Sequence, residues 1–156
     1  QKSKVTHREV FVGDGFDLQP LEVGNNTAFS SAKPANWSPK LQPISLPQAA
    51  AFFDFNKDQI NPIDYKRMDK FVVYLKKHPN AKLVLYGHSD LVGSEQRCNE
   101  LSQQRAEAVK KYLVSTGIQE DRISIIACGK STPVWKVEDA EWKAHENRRV
   151  EAVLME

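Results

Sequence analysis

Apolar positions from residue 48 onward form three short continuous runs and one alternating run. The continuous runs lie in QAAAFFDFNKDQ (48–59), AKLVLYGH (81–88) and RISIIACG (122–129), and such runs are typical of buried strands. The alternating run is NRRVEAVLM (147–155), in which every second residue from Val150 is apolar. The pattern therefore predicts four strands.

Two segments between these strands have helical spacing. In NPIDYKRMDKFVVYLKKHPN (61–80), Asn61 is the predicted N-cap, Pro62 fits the first helical position and Pro79 ends the helix. In LSQQRAEAVKKYLVSTG (101–117), Gly117 is the predicted stop. The residues expected to face inward are Met68, Phe71, Val72 and Leu75 in the first helix and Leu101, Val109, Tyr112 and Leu113 in the second.

The predicted order, β-α-β-α-β-β, favours an α/β (α+β) fold with a mixed sheet of about four strands and both helices on one face. A loop with one short helix is expected between the last two strands. Because helical crossovers make the first three strands run in one direction, the loops after the first and second strands emerge at the same edge. That edge is where ligands usually bind in such sheets.

Residues 1–47 differ in composition from the rest of the chain, with prolines at positions 20, 34, 39, 43 and 47. Only REVFVG (8–13) reads as a short strand, and the rest favours loops. Phe16, Phe29 and Trp37 could anchor this segment by burial, or it could be a flexible tether. We therefore divide the chain into an extension or linker (1–47) and one domain (48–156).

Charge and hydropathy narrow the function classes. The 22 Lys and Arg residues against 20 Asp and Glu give a net charge of +2, which does not favour nucleic acid as a partner. No apolar run approaches the roughly 20 residues that span a bilayer, and the start lacks the apolar stretch of a signal peptide. We expect a soluble chain, with any targeting or anchoring segment upstream of Gln1.

One acid and one base stand out in YGHSDLVGSEQRCNELSQQRAEAVKKYL (86–113). Asp90 follows a strand and Arg105 lies in the next helix, so their charges can face each other across a small gap. Such a gap fits a zwitterion, with an ammonium on Asp90 and a carboxylate on the Arg105 guanidinium and the helix N-terminus. The alternative is a structural salt bridge between the two.

Four strings together resemble the OmpA C-terminal-like family of peptidoglycan-binding domains, which includes Pal lipoproteins and the periplasmic part of MotB. They are AFFDFNKDQI, GHSDLVGSEQRCNELSQQRAEAVKKYLVSTGI, RISIIACGKSTPV and ENRRVEAVL. The central motif, G-H-[ST]-D-x-x-G-x(5)-N-x-x-L-S-x-x-R-A, is present without gaps. The resemblance covers about residues 48–156 and implies the OmpA-like sandwich.

The resemblance implies a site for the meso-diaminopimelate of the peptidoglycan stem peptide. Asp90 and Arg105 stand where the family meets its amino and carboxyl groups. The other implied site residues are Asn99, Leu101 and Ser102 in the binding loop and helix, Asp54 and Asn56 at the first-strand corner, and Arg149 on the last strand. Ser89 replaces the usual threonine and keeps its hydroxyl, and Cys98 and Cys128 replace residues that are usually not cysteine.

The two cysteines are too few for a disulfide framework or a zinc cluster. Cys98 follows the second strand and Cys128 ends the third, so both should approach one rim of the sheet. A periplasmic location, which the resemblance implies, would let a disulfide form. We therefore expect a Cys98–Cys128 bond, with two buried thiols as the alternative.

The predicted function is non-catalytic binding of peptidoglycan, which anchors an envelope protein to the wall, with no cofactor or metal. The predicted location is the periplasm, with a tether to the outer or inner membrane. The alternative function is that of a subunit of a stator-like or secretion-associated complex, in which the extension and the Trp135–Trp142 loop contact membrane-protein partners. A homodimer is also possible. An enzyme using His88, Asp90 and His145 is disfavoured because no further ligand or nucleophile–base pair is nearby.

Overall fold

A computed structural model describes residues 41–156, and a four-stranded sheet is the centre of this part of the chain. The strands are β1 (Gln48–Phe52), β2 (Lys82–Gly87), β3 (Ile123–Ala127) and β4 (Arg149–Met155). Their order in the sheet is β1-β4-β2-β3. The predicted α+β class with a mixed sheet is therefore confirmed.

Strand β4 lies between β1 and β2 and runs antiparallel to both, whereas β2 and β3 are parallel. Strands β1, β2 and β3 consequently share one direction, as predicted. Six of the seven β4 residues are buried, because this central strand is covered on both faces. The loops that follow β1 and β2 leave the sheet at the same rim, together with the loop that follows β3.

The helices begin close to capping residues. The Asn61 side chain caps a short 3-10 helix (Pro62–Asp64), which leads directly into α1 (Tyr65–Lys77). Helix α2 (Glu95–Ser115) is capped by Ser94 and so begins before Leu101, where its apolar spacing becomes regular. A second 3-10 helix (Glu120–Arg122) precedes β3, and α3 (Glu141–Asn147) is the short helix expected before β4.

Helices α1 and α2 cover one face of the sheet and enclose the main core. All four predicted inward residues of α1 are buried, as are Leu101, Val109 and Leu113 of α2. Tyr112 is only partly buried, and its hydroxyl donates to Asp69 of α1 at 2.6 Å. The opposite face carries a smaller apolar cluster made of Val84, Tyr86, Cys128, Val153 and Met155.

The segment before β1 also packs on the domain. The Ile44 N–H donates to the Leu154 carbonyl at 2.9 Å, and the Leu154 N–H donates to Ser45 Oγ at 3.1 Å. Ile44 joins the main core, so chain packing begins before Gln48. The predictions for residues 8–13, Phe16, Phe29 and Trp37 fall outside the described residues. Within 41–156, none of the helices combines the length and the apolar character that crossing a bilayer requires.

Candidate ligand-binding site

The loop after β2 is fixed between the ends of β3 and β4. The His88 N–H donates to the Arg149 carbonyl at 2.9 Å, and the Ser89 N–H donates to the Gly129 carbonyl at 2.8 Å. Both side chains are buried, although they follow the last residue of the strand. The backbone is thus held in place up to Asp90, the predicted site acid.

The Asp90 carboxylate is buried and has two partners. Its Oδ1 accepts from the Val92 N–H at 3.2 Å, which closes a local turn. Its Oδ2 accepts from Arg148 Nη1, also at 3.2 Å. Asp90 therefore pairs with Arg148, and the direct Asp90–Arg105 salt bridge considered as an alternative is not formed.

Arg105 lies in the middle of α2 and is 1% exposed. Its guanidinium donates to three backbone carbonyls, from Nε to Lys57 at 2.8 Å, from Nη1 to His88 at 3.1 Å and from Nη2 to Asp54 at 3.1 Å. Burial lowers the pKa of Arg105 to about 10, although Asp90 opposes this shift, so the group stays charged at neutral pH. The predicted help from the helix N-terminus is wrong, because α2 begins well before Arg105.

Arg148, which the sequence analysis did not select, joins three parts of the rim. Besides Asp90, it donates from Nε to the Phe53 carbonyl at 2.7 Å and from Nη2 to Glu141 Oε2. Burial lowers its pKa, but the bonds to Glu141 and Asp90 outweigh this and leave the pKa raised. Arg148 is therefore a permanent cation that fixes the Asp90 carboxylate.

Arg149, the arginine selected from the sequence, makes different contacts. It donates to Glu151 Oε2 at 2.9 Å, to the Asn147 carbonyl at 3.3 Å and to the Thr132 carbonyl at 3.0 Å. These bonds hold the connection between β3 and β4. In this structure the direct support of Asp90 comes from Arg148, so the position chosen for that role is off by one residue.

Two of the α2 residues implied by the resemblance organise the end of β3. Ser102 is fully buried; its Oγ donates to the Asn99 carbonyl and accepts from the Gly129 N–H, both at 2.9 Å. Gly129 has φ +55, and a Cβ there would lie 2.1 Å from Asn99 Oδ1, so a larger residue would be strained and would displace the Asn99 side chain. Leu101 is buried. Gly87 likewise lets α2 approach β2, because a Cβ there would lie 2.0 Å from the Ser102 carbonyl oxygen.

The corner that follows β1 (residues 53–59) contributes to the site mainly through its backbone carbonyls. The Asp54 and Lys57 carbonyls accept from Arg105, whereas their side chains are exposed. Asn56 adopts φ 57, and its Oδ1 accepts from Arg97 Nη2 at 2.8 Å. Residues 55–59 line an open cleft of about 410 Å³ at this rim.

Glu138, also missed from the sequence, ties the β3–β4 connection to the Asp90 loop. The Leu91 N–H donates to both carboxylate oxygens, at 3.1 Å to Oε1 and 3.0 Å to Oε2. Asn147, which is fully buried, donates from Nδ2 to Glu138 Oε2 at 2.7 Å and binds the Trp135 backbone. The Glu138 carboxylate therefore accepts from the backbone N–H of Leu91, the residue that follows Asp90.

His88 is buried beside Glu151 without bonding to it. Its Nε2 lies 3.6 Å from Glu151 Oε1, and neither atom has a hydrogen-bond partner. Burial lowers the pKa of His88, although Glu151 opposes the shift. His145 instead stacks on Phe52, with ring centroids 5.5 Å apart. In the described part of the chain, no three His, Cys, Asp or Glu side chains are grouped as a metal site.

Cys98 and Cys128 are free and buried, so the expected disulfide is absent from this structure. The Cys98 Sγ faces the Val92 carbonyl at 3.4 Å, beneath the start of α2. Cys128 belongs to the apolar cluster on the opposite face of the sheet. Sharing a rim therefore does not bring the two sulfurs together, because the residues lie on opposite sides of the sheet.

The mixed sheet, its two covering helices and the buried charged residues at one rim define the class of this chain. It belongs to the OmpA family, whose model matches residues 52–149. The sequence resemblance to this family is confirmed.

Several relatives come from bacterial envelopes. Outer membrane porin F of Pseudomonas aeruginosa is 33% identical over 119 residues, which are 76% of this chain and 34% of that protein. Peptidoglycan-binding protein ArfA of Mycobacterium tuberculosis is 37% identical over 93 residues, 60% of this chain and 28% of ArfA. The chain thus spans about a third of each. The crystal structure of the peptidoglycan-associated lipoprotein from Burkholderia pseudomallei superposes with a TM-score of 0.65 at 28% identity, covering 69% of this chain and 90% of that one.

Proposed function

We propose that this chain binds peptidoglycan without catalysis, by holding the diaminopimelate residue of the stem peptide at Asp90 and Arg105. The observation that carries the proposal is the buried pair of opposite charges at the rim of an OmpA-family domain. The relatives named peptidoglycan-binding and peptidoglycan-associated support the same ligand. The free ammonium and carboxylate of diaminopimelate are the chemical complement of this pair.

Both charged groups keep capacity for a ligand. Each Asp90 oxygen accepts one hydrogen bond from the protein, and a carboxylate oxygen can accept two. Arg105 uses three N–H groups on carbonyls, out of the five that a guanidinium carries. The bonds to the protein fix the orientation of both groups before ligand arrives, which lowers the ordering cost of binding.

The same proposal places the domain in the periplasm, where it anchors an envelope protein to the wall. Its support is the family and the names of the relatives, which are outer-membrane and wall-associated proteins. A tether to either membrane would lie outside the described residues. Envelope membrane proteins are the expected partners besides peptidoglycan.

Sedimentation with purified peptidoglycan sacculi tests the proposal with the Asp90→Asn variant. Asparagine keeps the size and the turn at Val92 but loses the charge that an ammonium needs. Losing one member of a desolvated charge pair costs about 2–5 kcal/mol, which weakens binding at least tens-fold. Asp121→Asn is the matched control, because Asp121 is an exposed acid at the other end of the sheet.

The parent and the control should sediment equally with sacculi, and Asp90→Asn should remain in the supernatant. Thermal unfolding of all three proteins checks that they are folded. A folded Asp90→Asn protein that sediments like the parent would refute the proposed site. A parent that stays in the supernatant would refute peptidoglycan as the ligand.

A further inference from the structure

We propose that the Leu91 backbone N–H is a carboxylate-binding subsite of the pocket, and that Glu138 fills it while no ligand is bound. The inference rests on the proposed function and names a second contact for the same zwitterionic ligand. The ligand carboxylate would take the place of the Glu138 carboxylate. Glu138 is then an internal competitor, and its removal should strengthen binding.

The first argument is the match between Leu91, Asp90 and an amino acid. A free amino acid carries its ammonium and carboxylate on one carbon, so the two charges are about 3 Å apart. The Leu91 N–H and the Asp90 carboxylate belong to adjacent residues, and Asp90 Oδ1 turns back toward this stretch of backbone to accept from the Val92 N–H at 3.2 Å. One zwitterion can therefore donate to Asp90 and accept from Leu91 together.

The second argument is that a carboxylate already occupies this donor. Glu138 accepts from the Leu91 N–H with both oxygens, at 3.1 and 3.0 Å. A single N–H that is shared between the two oxygens of one carboxylate can bind another carboxylate in the same way. Exchanging Glu138 for the ligand keeps the charge at this point of the pocket unchanged.

The third argument is access. The Asp90 and Arg105 side chains are almost completely buried, so part of the rim has to move before a ligand reaches them. Glu138 is only partly buried, and its neighbours Val137 and Asp139 are exposed on an irregular stretch before α3. Releasing Glu138 breaks its bonds from the Leu91 N–H and from Asn147 Nδ2, which keeps its bond to the Trp135 carbonyl. Moving α2 or β4 would instead break backbone bonds of a helix or strand.

The physical consequence is a competition within the chain. When the binding-competent form is a fraction of the free protein, the apparent affinity falls by that fraction. If Glu138 closes the subsite in about nine tenths of the molecules, its removal strengthens binding about tenfold. If Glu138 only held the Asp90 loop in place, its removal would have the opposite effect. The loop would loosen and binding would weaken.

Isothermal titration of the full chain with a soluble stem tetrapeptide, L-Ala-γ-D-Glu-meso-diaminopimelate-D-Ala, tests this inference. The test variant is Glu138→Ala, which removes the acceptor. Glu138→Gln removes only the charge, because its amide oxygen can still accept from the Leu91 N–H. The control is Asp139→Asn, which removes a neighbouring exposed acid that pairs with Lys143. A second ligand carries a carboxamide in place of the free side-chain carboxylate of diaminopimelate.

For the acid ligand, Glu138→Ala should bind about tenfold more tightly than the parent, Glu138→Gln should lie between the two, and Asp139→Asn should match the parent. For the carboxamide ligand the advantage of Glu138→Ala should shrink, since the diaminopimelate group that meets the Leu91 amide has lost its negative charge. Equal or weaker binding of the acid ligand by folded Glu138→Ala overturns the inference and leaves the proposed function intact. A parent that binds neither ligand overturns both.

Discussion

Replacement of Arg105 by alanine should unfold part of the site as well as remove a ligand contact. If Arg105 served the ligand alone, Arg105→Ala would remove most of the binding and leave the domain folded. In the structure, however, the guanidinium is the shared partner of the Lys57, His88 and Asp54 carbonyls, and it lies over the Phe53 ring at 5.3 Å. Alanine removes all of these contacts together.

The expected loss of stability depends on how buried the three carbonyls are. Water can reach Asp54 and Lys57, which are exposed, so each lost bond there costs only about 1 kcal/mol. The His88 carbonyl is buried, and leaving it unpaired costs about 1–3 kcal/mol. With the lost packing on Phe53, we expect about 3–5 kcal/mol in total for Arg105→Ala.

Arg122 provides a matched comparison at the opposite end of the sheet. Its guanidinium also donates to three carbonyls, those of Leu75, His78 and Ala81, but the side chain is only partly buried. At about 1 kcal/mol for each of these three bonds, Arg122→Ala should cost about 2–3 kcal/mol. It should leave binding to sacculi unchanged, because Arg122 is remote from the Asp90 rim.

Urea denaturation followed by circular dichroism measures both losses, and thermal unfolding should show a lower Tm for Arg105→Ala by about 10 °C. Arg105→Lys keeps the charge, but its single nitrogen cannot take the three positions that Nε, Nη1 and Nη2 occupy, so its loss of stability should be smaller than that of Arg105→Ala. The reasoning is refuted if Arg105→Ala costs less than about 1 kcal/mol, or no more than Arg122→Ala. In that case Arg105 would act on the ligand alone.

Two further predictions concern buried titratable groups. Because burial holds the His88 pKa below its usual 6.5, the unfolded state binds more protons as the pH falls from that value. The free energy of unfolding should therefore be highest above pH 6.5 and decrease below it. Urea titrations between pH 7.5 and 5 should show this decrease for the parent and a smaller one for His88→Gln. Identical profiles for the two proteins would contradict the prediction. Burial also raises the pKa of Cys128 to about 11. Both cysteines should react slowly with a thiol reagent in the native protein, and protein made in the periplasm should show two free thiols after denaturation without reductant, whereas none would mean that a disulfide forms.

The sequence predicts the elements well because their hydrophobic spacing records burial directly. All four predicted apolar residues of α1 are buried, and Asn61, Pro62 and Gly117 mark helix ends as expected. The start of α2 was missed because its first turns pack on the Asp90 loop rather than on the core. The insertion of β4 between β1 and β2 was not predicted, since spacing along a strand does not identify its partners.

The choice between Arg148 and Arg149 could have been made from strand alternation. Val150, Ala152 and Leu154 face the main core beneath the helices, and Val153 faces the opposite cluster. Successive side chains of a strand point to opposite faces, so continuing the alternation backward puts Arg148 on the helix side and Arg149 on the other. Arg105 lies on α2, on the helix side, which selects Arg148. No comparable local pattern reveals Glu138, because its contact joins residues distant in sequence.

The site is built so that each charged group has a structural bond and a remaining binding capacity. Arg148 joins the end of β1, the Asp90 loop and α3 through Phe53, Asp90 and Glu141. Arg105 joins the β1 corner to the β2 end through backbone carbonyls. A ligand that adds an ammonium and a carboxylate to these groups would complete bonds that already hold three loops together. Binding should therefore stabilise the fold, and this gain should grow with the logarithm of the ligand concentration once that exceeds Kd. A variant that loosens the rim should lose affinity and stability together, with Glu138 as the exception because it competes with the ligand.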